Sequence, residues 1–270
     1  MLRESQLSHK VIITLTLLLL TTEQQHSANN NPNLRSFDEG LLFEYIKAQI
    51  MTSFNVTVIG IGAMGGGMAR ALLESSVAKQ VQVYDQATTL VVAFHEDAQK
   101  AGKTPPNKAT KLSEAVTAET DFVLLVLQNE PQCETVCFGA GEESLLSLVA
   151  PGTCVILSST VTAVWAQGAA ERFAAKDILF VDCPISGGPV RARQGELTLM
   201  ASGSENALTK SRPVLDALGS QVHIIEGGAG MGSTVKMVKC KFFLCSDFKR
   251  SESLISCPDA FLLFACKLFQ

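Results

Sequence analysis

No excess of basic charge, no CxxC cysteine pair, no internal repeat and no apolar run long enough to cross a bilayer occur in this sequence. With 22 Lys and Arg against 26 Asp and Glu, the formal net charge is -4, so there is no positive field to hold a phosphate backbone, and nucleic acid is excluded as an expected partner. Eight cysteines are present. Cys133, Cys137, Cys154 and Cys183 are thinly spread through a large pattern, as reduced, buried thiols are, and Cys240, Cys245, Cys257 and Cys266 crowd near the end without metal-ligand spacing. No metal site is expected. The longest apolar stretch, Val11 to Leu20, has half the roughly 20 residues a membrane-spanning helix needs. It has the length of a signal-peptide core, but the small-residue site around Ser27 and Ala28 has His26 where a small residue is wanted. A cytoplasmic protein is expected, with secretory or membrane targeting through residues 1–28 as the alternative. Met51 opens MTSFNVTVIG directly before the first strand, and a start there would leave residues 1–50 as an upstream extension.

What is there reads as α/β. The 270 residues, 47% hydrophobic and 18% charged, suffice for one sizeable core and part of a second. From Val56 onward, short β-branched runs alternate with helical stretches, the pattern of a mostly parallel sheet covered by helices on both faces. Strands are expected at Val56–Ile59, Val81–Tyr84, Phe122–Leu127, Val155–Leu157, Ile178–Val181, Leu197–Ala201 and Val222–Ile225. Helices are expected at Met64–Leu73, Thr88–Ala101, Ser113–Ala118, Ala163–Ala174 and Ser204–Leu218. After Met237 the sequence turns to clustered Cys and Phe without a helical stripe.

The first chemistry-bearing motif is GIGAMG, residues Gly60, Ile61, Gly62, Ala63, Met64 and Gly65, between an expected strand and an expected helix. Gly60 permits a tight turn, Gly62 lets the backbone approach a pyrophosphate, and Gly65 allows the helix to pack closely on the strand. The helix N-terminus then offers free N–H groups and the positive end of its dipole to an anion. Asp85 follows the second strand, twenty residues after Gly65, where a carboxylate accepts from the adenosine ribose hydroxyls and repels a 2′-phosphate. The next residues, Gln86, Ala87, Thr88 and Thr89, include no arginine. NAD is therefore expected, in preference to NADP.

A second motif, DCPISGGPVRARQGELTLMASG, runs from Asp182 to Gly203. The expected strand Ile178–Val181 runs into a turn where Ser186, Gly187 and Gly188 present a hydroxyl and unobstructed amides that can take a carboxylate or hydroxyl beside the nicotinamide. Arg191 and Arg193 could neutralise a carboxylate, although arginines at such positions are more often solvated. A third motif, GGAGMGSTVKMV, leads from Gly227 through small residues into a helix carrying Lys236. A lysine held in a cofactor cleft can serve a hydroxyl as general acid or base.

The order of GIGAMG, SST at Ser158 to Thr160, DCPISGGPVRARQGELTLMASG and GMGSTVK resembles the β-hydroxyacid dehydrogenase family. That family includes 3-hydroxyisobutyrate dehydrogenases, and the likeness is greatest to its L-threonate dehydrogenase members. The resemblance covers about Phe54 to Val238. It implies a Rossmann domain followed by an all-helical domain, and oxidation of a small hydroxy acid to its oxo acid with a nicotinamide dinucleotide. By position, Gly60 to Gly65, Asp85, Leu127, Gln128 and Thr160 match cofactor contacts, Ser186, Gly187 and Gly188 the substrate loop, and Lys236 the catalytic lysine. Full-length relatives are expected to be homo-oligomers. Many members have an asparagine four residues after the lysine, where this chain has Cys240, and the likeness ends near Lys239. The expected organisation is an N-terminal extension over residues 1–53, an NAD-binding Rossmann domain over 54–227, and over 228–270 the start of a truncated helical domain with a divergent tail. The alternative to a working dehydrogenase is an inactive NAD-binding fragment.

Overall fold

In the computed structural model, residues 53–140 and 143–238 are described. The expected signal-like run at Val11–Leu20, the four C-terminal cysteines and the tail after Val238 lie outside them. Strand β1 (Phe54–Ile59) leads through the glycine turn into helix α1 (Ala63–Glu74), then strand β2 (Ala78–Tyr84) and helix α2 (Thr88–Lys100). Short α3 (Leu112–Ala115) precedes β3 (Phe122–Leu125), α4 (Glu130–Phe138), short α5 (Leu145–Leu148), β4 (Cys154–Leu157), α6 (Ala163–Ala174) and β5 (Leu179–Asp182). Then come the two-residue β6 (Ile185–Ser186), α7 (Gly188–Gln194), β7 (Leu197–Gly203), α8 (Glu205–Leu218) and β8 (Gly219–Ile224). A final helix, α9, begins at residue 231 and is described to 238.

Strands β2, β1, β3, β4 and β5 lie side by side in that order, all parallel. Strand β7 runs antiparallel to β5 and β6 and parallel to β8. The expected class, a Rossmann-type doubly wound and mostly parallel sheet, is the one observed. In β3 and β4 every residue is buried, as strands covered on both faces must be. Alternation divides them. Phe122, Leu124, Cys154 and Ile156 face the core that includes Met68 and Leu72 of α1 and Val214 and Leu218 of α8. Val123, Leu125, Val155 and Leu157 face the core shared with Cys133 and Cys137 of α4 and Ala166 and Phe173 of α6. A period of two thus serves two helix layers at once.

Helix starts follow local capping chemistry. The side chains of Asn129, Thr162 and Ser204 accept from Gln132, Trp165 and Ala207 N–H at the heads of α4, α6 and α8. The expected boundaries of α6 coincide with the observed ones, and the other expected elements differ by up to three residues. Three helices, α4, the short α5 and α7, have no expected counterpart. Helix α4 begins with the cap-and-proline signal Asn129-Glu130-Pro131, but alternating Cys, Thr and Val hide its apolar face. Helix α7 stands where an open turn is expected: Ser186 ends a strand and Gly188 opens the helix, with Gly187 at φ 142 as its cap. Strand β3 stops two residues early because Val126 N–H still bonds Ile59 O but Leu127 N–H turns to the Ser159 hydroxyl.

No helix among the described residues is long and apolar enough to cross a membrane. The four cysteines among them are free and buried, and burial pushes the Cys154 thiol up to about 12, against a small opposing pull from Lys210.

Candidate functional site

The C-terminal ends of β1, β3 and β4 open into a cleft of about 960 Å³. Parallel sheets place ligand sites there because the strand ends diverge and the helix N-termini point inward. Gly60 to Gly65 form its floor. Gly60 sits at φ 85, and a Cβ there would lie 2.5 Å from Val126 O, so the crossing between β1 and β3 requires its absence. A Cβ on Gly65 would stand 1.9 Å from Gly60 O, which is what lets α1 seat on the turn. Around Gly62 there is nothing within 4 Å of that position. Its missing side chain faces open cleft, and as the cap of α1 it supplies no side-chain acceptor, leaving the first-turn N–H groups for another partner.

Asp85 borders the cleft at the end of β2. Its Oδ2 accepts Ile61 N–H and its Oδ1 accepts Ala87 N–H, each at 2.9 Å. One carboxylate therefore braces the glycine turn against the loop after β2, and its remaining lone pairs stay available to hydroxyls. Burial, helped by Glu143 and Asp85 nearby, raises the Tyr84 phenol above its ordinary value. On the opposite wall, Leu127 and Gln128 leave β3 beside Thr160, and Ser159 ties them together. The Ser159 hydroxyl accepts Leu127 N–H at 2.7 Å and reaches Leu125 O at 3.3 Å. The neighbouring Ser158 Oγ is buried without a partner in the cleft wall.

The far end of the cleft is built from Ser186, Gly187, Gly188 and Lys236. Lys236 is half-buried on α9, and its Nζ donates to Ile185 O at 2.7 Å, which brings the ammonium to the strand that carries Ser186. A Cβ on Gly188 would meet nothing within 4 Å, so this loop too presents unobstructed backbone. Asp182, at the end of β5, is fully buried behind it. Burial pushes its carboxyl up, and bonds from Ser233, Ser202 and Gly230 oppose the rise.

All of the expected site residues but one line this cleft. Ile61 is the exception, because its side chain is buried in the core and only its N–H serves the turn, through Asp85. Arg191 and Arg193 are not in the cleft; both are exposed on α7, and Arg193 borders a separate hollow with Arg70. Sequence reasoning passed over Asp182, Ser158 and Ser159, and the α4 residues Gln132, Thr135 and Val136 that close the cleft beside Asp85. Asp182 opens the second motif and Ser158 the SST triplet, so both were in view without a role. The α4 residues had the Asn129 cap as their signal. The residues present fit a dinucleotide: the open face of Gly62, the uncapped helix head, the free hydroxyl of Ser158 and the cleft volume all leave room and partners for one.

Residues 55–227 match the NAD binding domain of 6-phosphogluconate dehydrogenase. The chain belongs to that family. Among curated relatives, the L-threonate dehydrogenase of Pectobacterium atrosepticum is 34% identical over 188 residues, covering 69% of this chain and 58% of the relative. The rat mitochondrial 3-hydroxyisobutyrate dehydrogenase is 27% identical over 205 residues, covering 76% and 55%. The crystal structure of a 3-hydroxyisobutyrate dehydrogenase from Salmonella typhimurium superposes with a TM-score of 0.61 at 34% identity, covering 69% of this chain and 61% of that one. The chain thus spans about three-fifths of the length of the L-threonate dehydrogenases it matches.

Proposed function

We propose that the cleft binds NAD and oxidises a small hydroxy acid, threonate-like or 3-hydroxyisobutyrate-like, to its oxo acid. The observation that carries this reading is the convergence of Lys236 and the Ser186–Gly188 segment on the same cleft as the glycine turn, fixed by the bond from Lys236 Nζ to Ile185 O. The NAD-binding unit is assigned to residues 54–227, where the family match supports it, and the described part of α9 to the start of a helical domain. The Gly62–Gly65 amides take the pyrophosphate, and Asp85 takes the adenosine ribose hydroxyls and turns away a 2′-phosphate. Leu127, Gln128 and Thr160 flank the nicotinamide end. When bound, the nicotinamide accepts a hydride. The chain's own work is to orient the substrate carboxylate on Ser186, Gly187 and Gly188 and to take the hydroxyl proton on the lone pair of Lys236 Nζ in its neutral amine form, while an N–H of the same nitrogen stays on Ile185 O.

The test is NADH formation from NAD and a panel of three- to five-carbon hydroxy acids. Turnover with at least one acid, cut by roughly 100-fold or more in Lys236→Ala, is the expected result. Equal rates in parent and variant overturn the role of Lys236. NAD binding by calorimetry without turnover on any acid supports the alternative, an NAD-binding protein that does not catalyse, and loss of binding in the parent removes both.

A further inference from the structure

The head of α9 is held by a single buried carboxylate. Asp182 Oδ2 accepts Ser233 N–H at 2.8 Å, Gly230 N–H at 3.1 Å and the Ser202 hydroxyl at 3.3 Å, while its Oδ1 accepts the Ser233 hydroxyl at 2.7 Å. Ser202, the antiparallel partner of Asp182 across β5 and β7, accepts Gly232 N–H at 2.9 Å. No cation is among these contacts. The carboxylate is stabilised by helix-terminal N–H groups, by hydroxyls and by the positive end of the helix dipole. The fit leaves no slack. A Cβ on Gly230, which sits at φ 95, would stand 2.7 Å from Ala163 O, and one on Gly232 would stand 2.4 Å from Met200 O.

Three residues beyond Asp182, Ile185 O receives the Lys236 ammonium. The head of α9 and its Lys236 are thus both tied to one segment, residues 182–185, the head by a side chain and the lysine by a carbonyl. A shift of the helix head moves Lys236 with it, because one helical turn separates them and a helix is stiff over that length.

We propose that Asp182 is a positioning residue for Lys236, fixing through Gly230 and Ser233 where the ammonium stands beside Ser186 in the cleft. Its catalytic consequence rests on the reading of Lys236 given under Proposed function, but the positional consequence does not. A role confined to general stability would loosen the whole sheet. A positioning role loosens α9 alone.

The experiment compares the full chain with Asp182→Asn, which keeps the shape but replaces one acceptor oxygen by a donor, and with Ser233→Ala, which removes one hydroxyl and leaves the carboxylate in place. Two readouts need no turnover: amide hydrogen exchange by peptide, and the rate at which acetic anhydride labels Lys236, located by mass spectrometry. The expected result for Asp182→Asn is exchange at least tenfold faster over residues 230–238, unchanged exchange over β1 to β4, and Lys236 labelled at least fivefold faster. Ser233→Ala shifts the same readouts in the same direction by less. In turnover, kcat falls at least tenfold while KM for NAD changes less than threefold. Unchanged exchange at α9 and unchanged labelling of Lys236 overturn the proposal, as does exchange that rises equally across the sheet. If labelling and exchange respond but Lys236→Ala is as active as the parent, positioning stands and the proton-transfer role of Lys236 falls.

Discussion

Gly62 and Gly65 are three residues apart in one turn and bear different constraints. A methyl group at Gly65 collides with Gly60 O, whereas at Gly62 it projects into empty cleft. Gly65→Ala is therefore expected to lower folding stability by roughly 1–3 kcal/mol, measurable as a reduced denaturation midpoint. Gly62→Ala is expected to keep stability within about 1 kcal/mol and to weaken NAD roughly tenfold, equivalent to about 1.4 kcal/mol, in a calorimetric titration. Asp85 carries both kinds of duty, since it braces Ile61 and Ala87 while facing the cleft. Asp85→Ser is expected to narrow the preference for NAD over NADP by roughly tenfold or more, about 1.4 kcal/mol of discrimination. An unchanged ratio of the two dissociation constants would remove Asp85 as the selecting group.

Between elements, helices α4 and α6 are joined by polar contacts. Glu130 accepts Thr162 N–H and the Thr162 hydroxyl, and Glu134 accepts Trp165 Nε1–H and Arg172 Nη1–H. The Arg172 guanidinium also lies 3.4 Å from the Phe138 ring centre. Burial alone would raise the Glu134 carboxyl, but the bonds from Arg172 and Trp165 outweigh it and hold the group below its ordinary value. A lowered carboxyl contributes stability above its unfolded pKa and loses that contribution as pH falls through the lower folded value. The α4–α6 contact is therefore expected to weaken below the ordinary glutamate value of about 4.3, read as faster exchange at α4 amides in acid, and Glu134→Gln is expected to flatten that response. Since Glu134 and Arg172 are each about half exposed, the effect on global stability is small.

At the scale of the molecule, a ligand that binds only the folded chain stabilises it by mass action. At one hundred times its dissociation constant NAD is expected to add about 2.7 kcal/mol, which for a domain of this size raises Tm by roughly 5–10 °C. The increase should vanish in a Gly62→Trp variant, whose side chain fills the space a pyrophosphate would enter. If NAD leaves Tm unmoved at millimolar concentration, the cleft does not bind it.

The alternation of strand and helix, the glycine turn and the place of Asp85 after β2 were legible because each depends on a few neighbouring residues: β-branched runs for strands, Gly60, Gly62 and Gly65 for the turn, one carboxylate at a strand end. Ser186, Gly187 and Gly188 favour an open turn by composition, and only packing of α7 against α1 decides otherwise, with Gly67 allowing Ala192 and Arg193 to approach. The meeting of Lys236 with Ile185, and of Ser233 with Asp182, joins residues 51 positions apart. Local rules carry no information over that separation. The sequence by itself determined a nucleotide-binding α/β fold and the residue types of its cleft, since periodicity and turn chemistry act over single elements. Only the tertiary structure decided that Asp182 would be spent inside, anchoring the helix that carries Lys236, because burial and partner choice are settled when β5, β7 and α9 pack together.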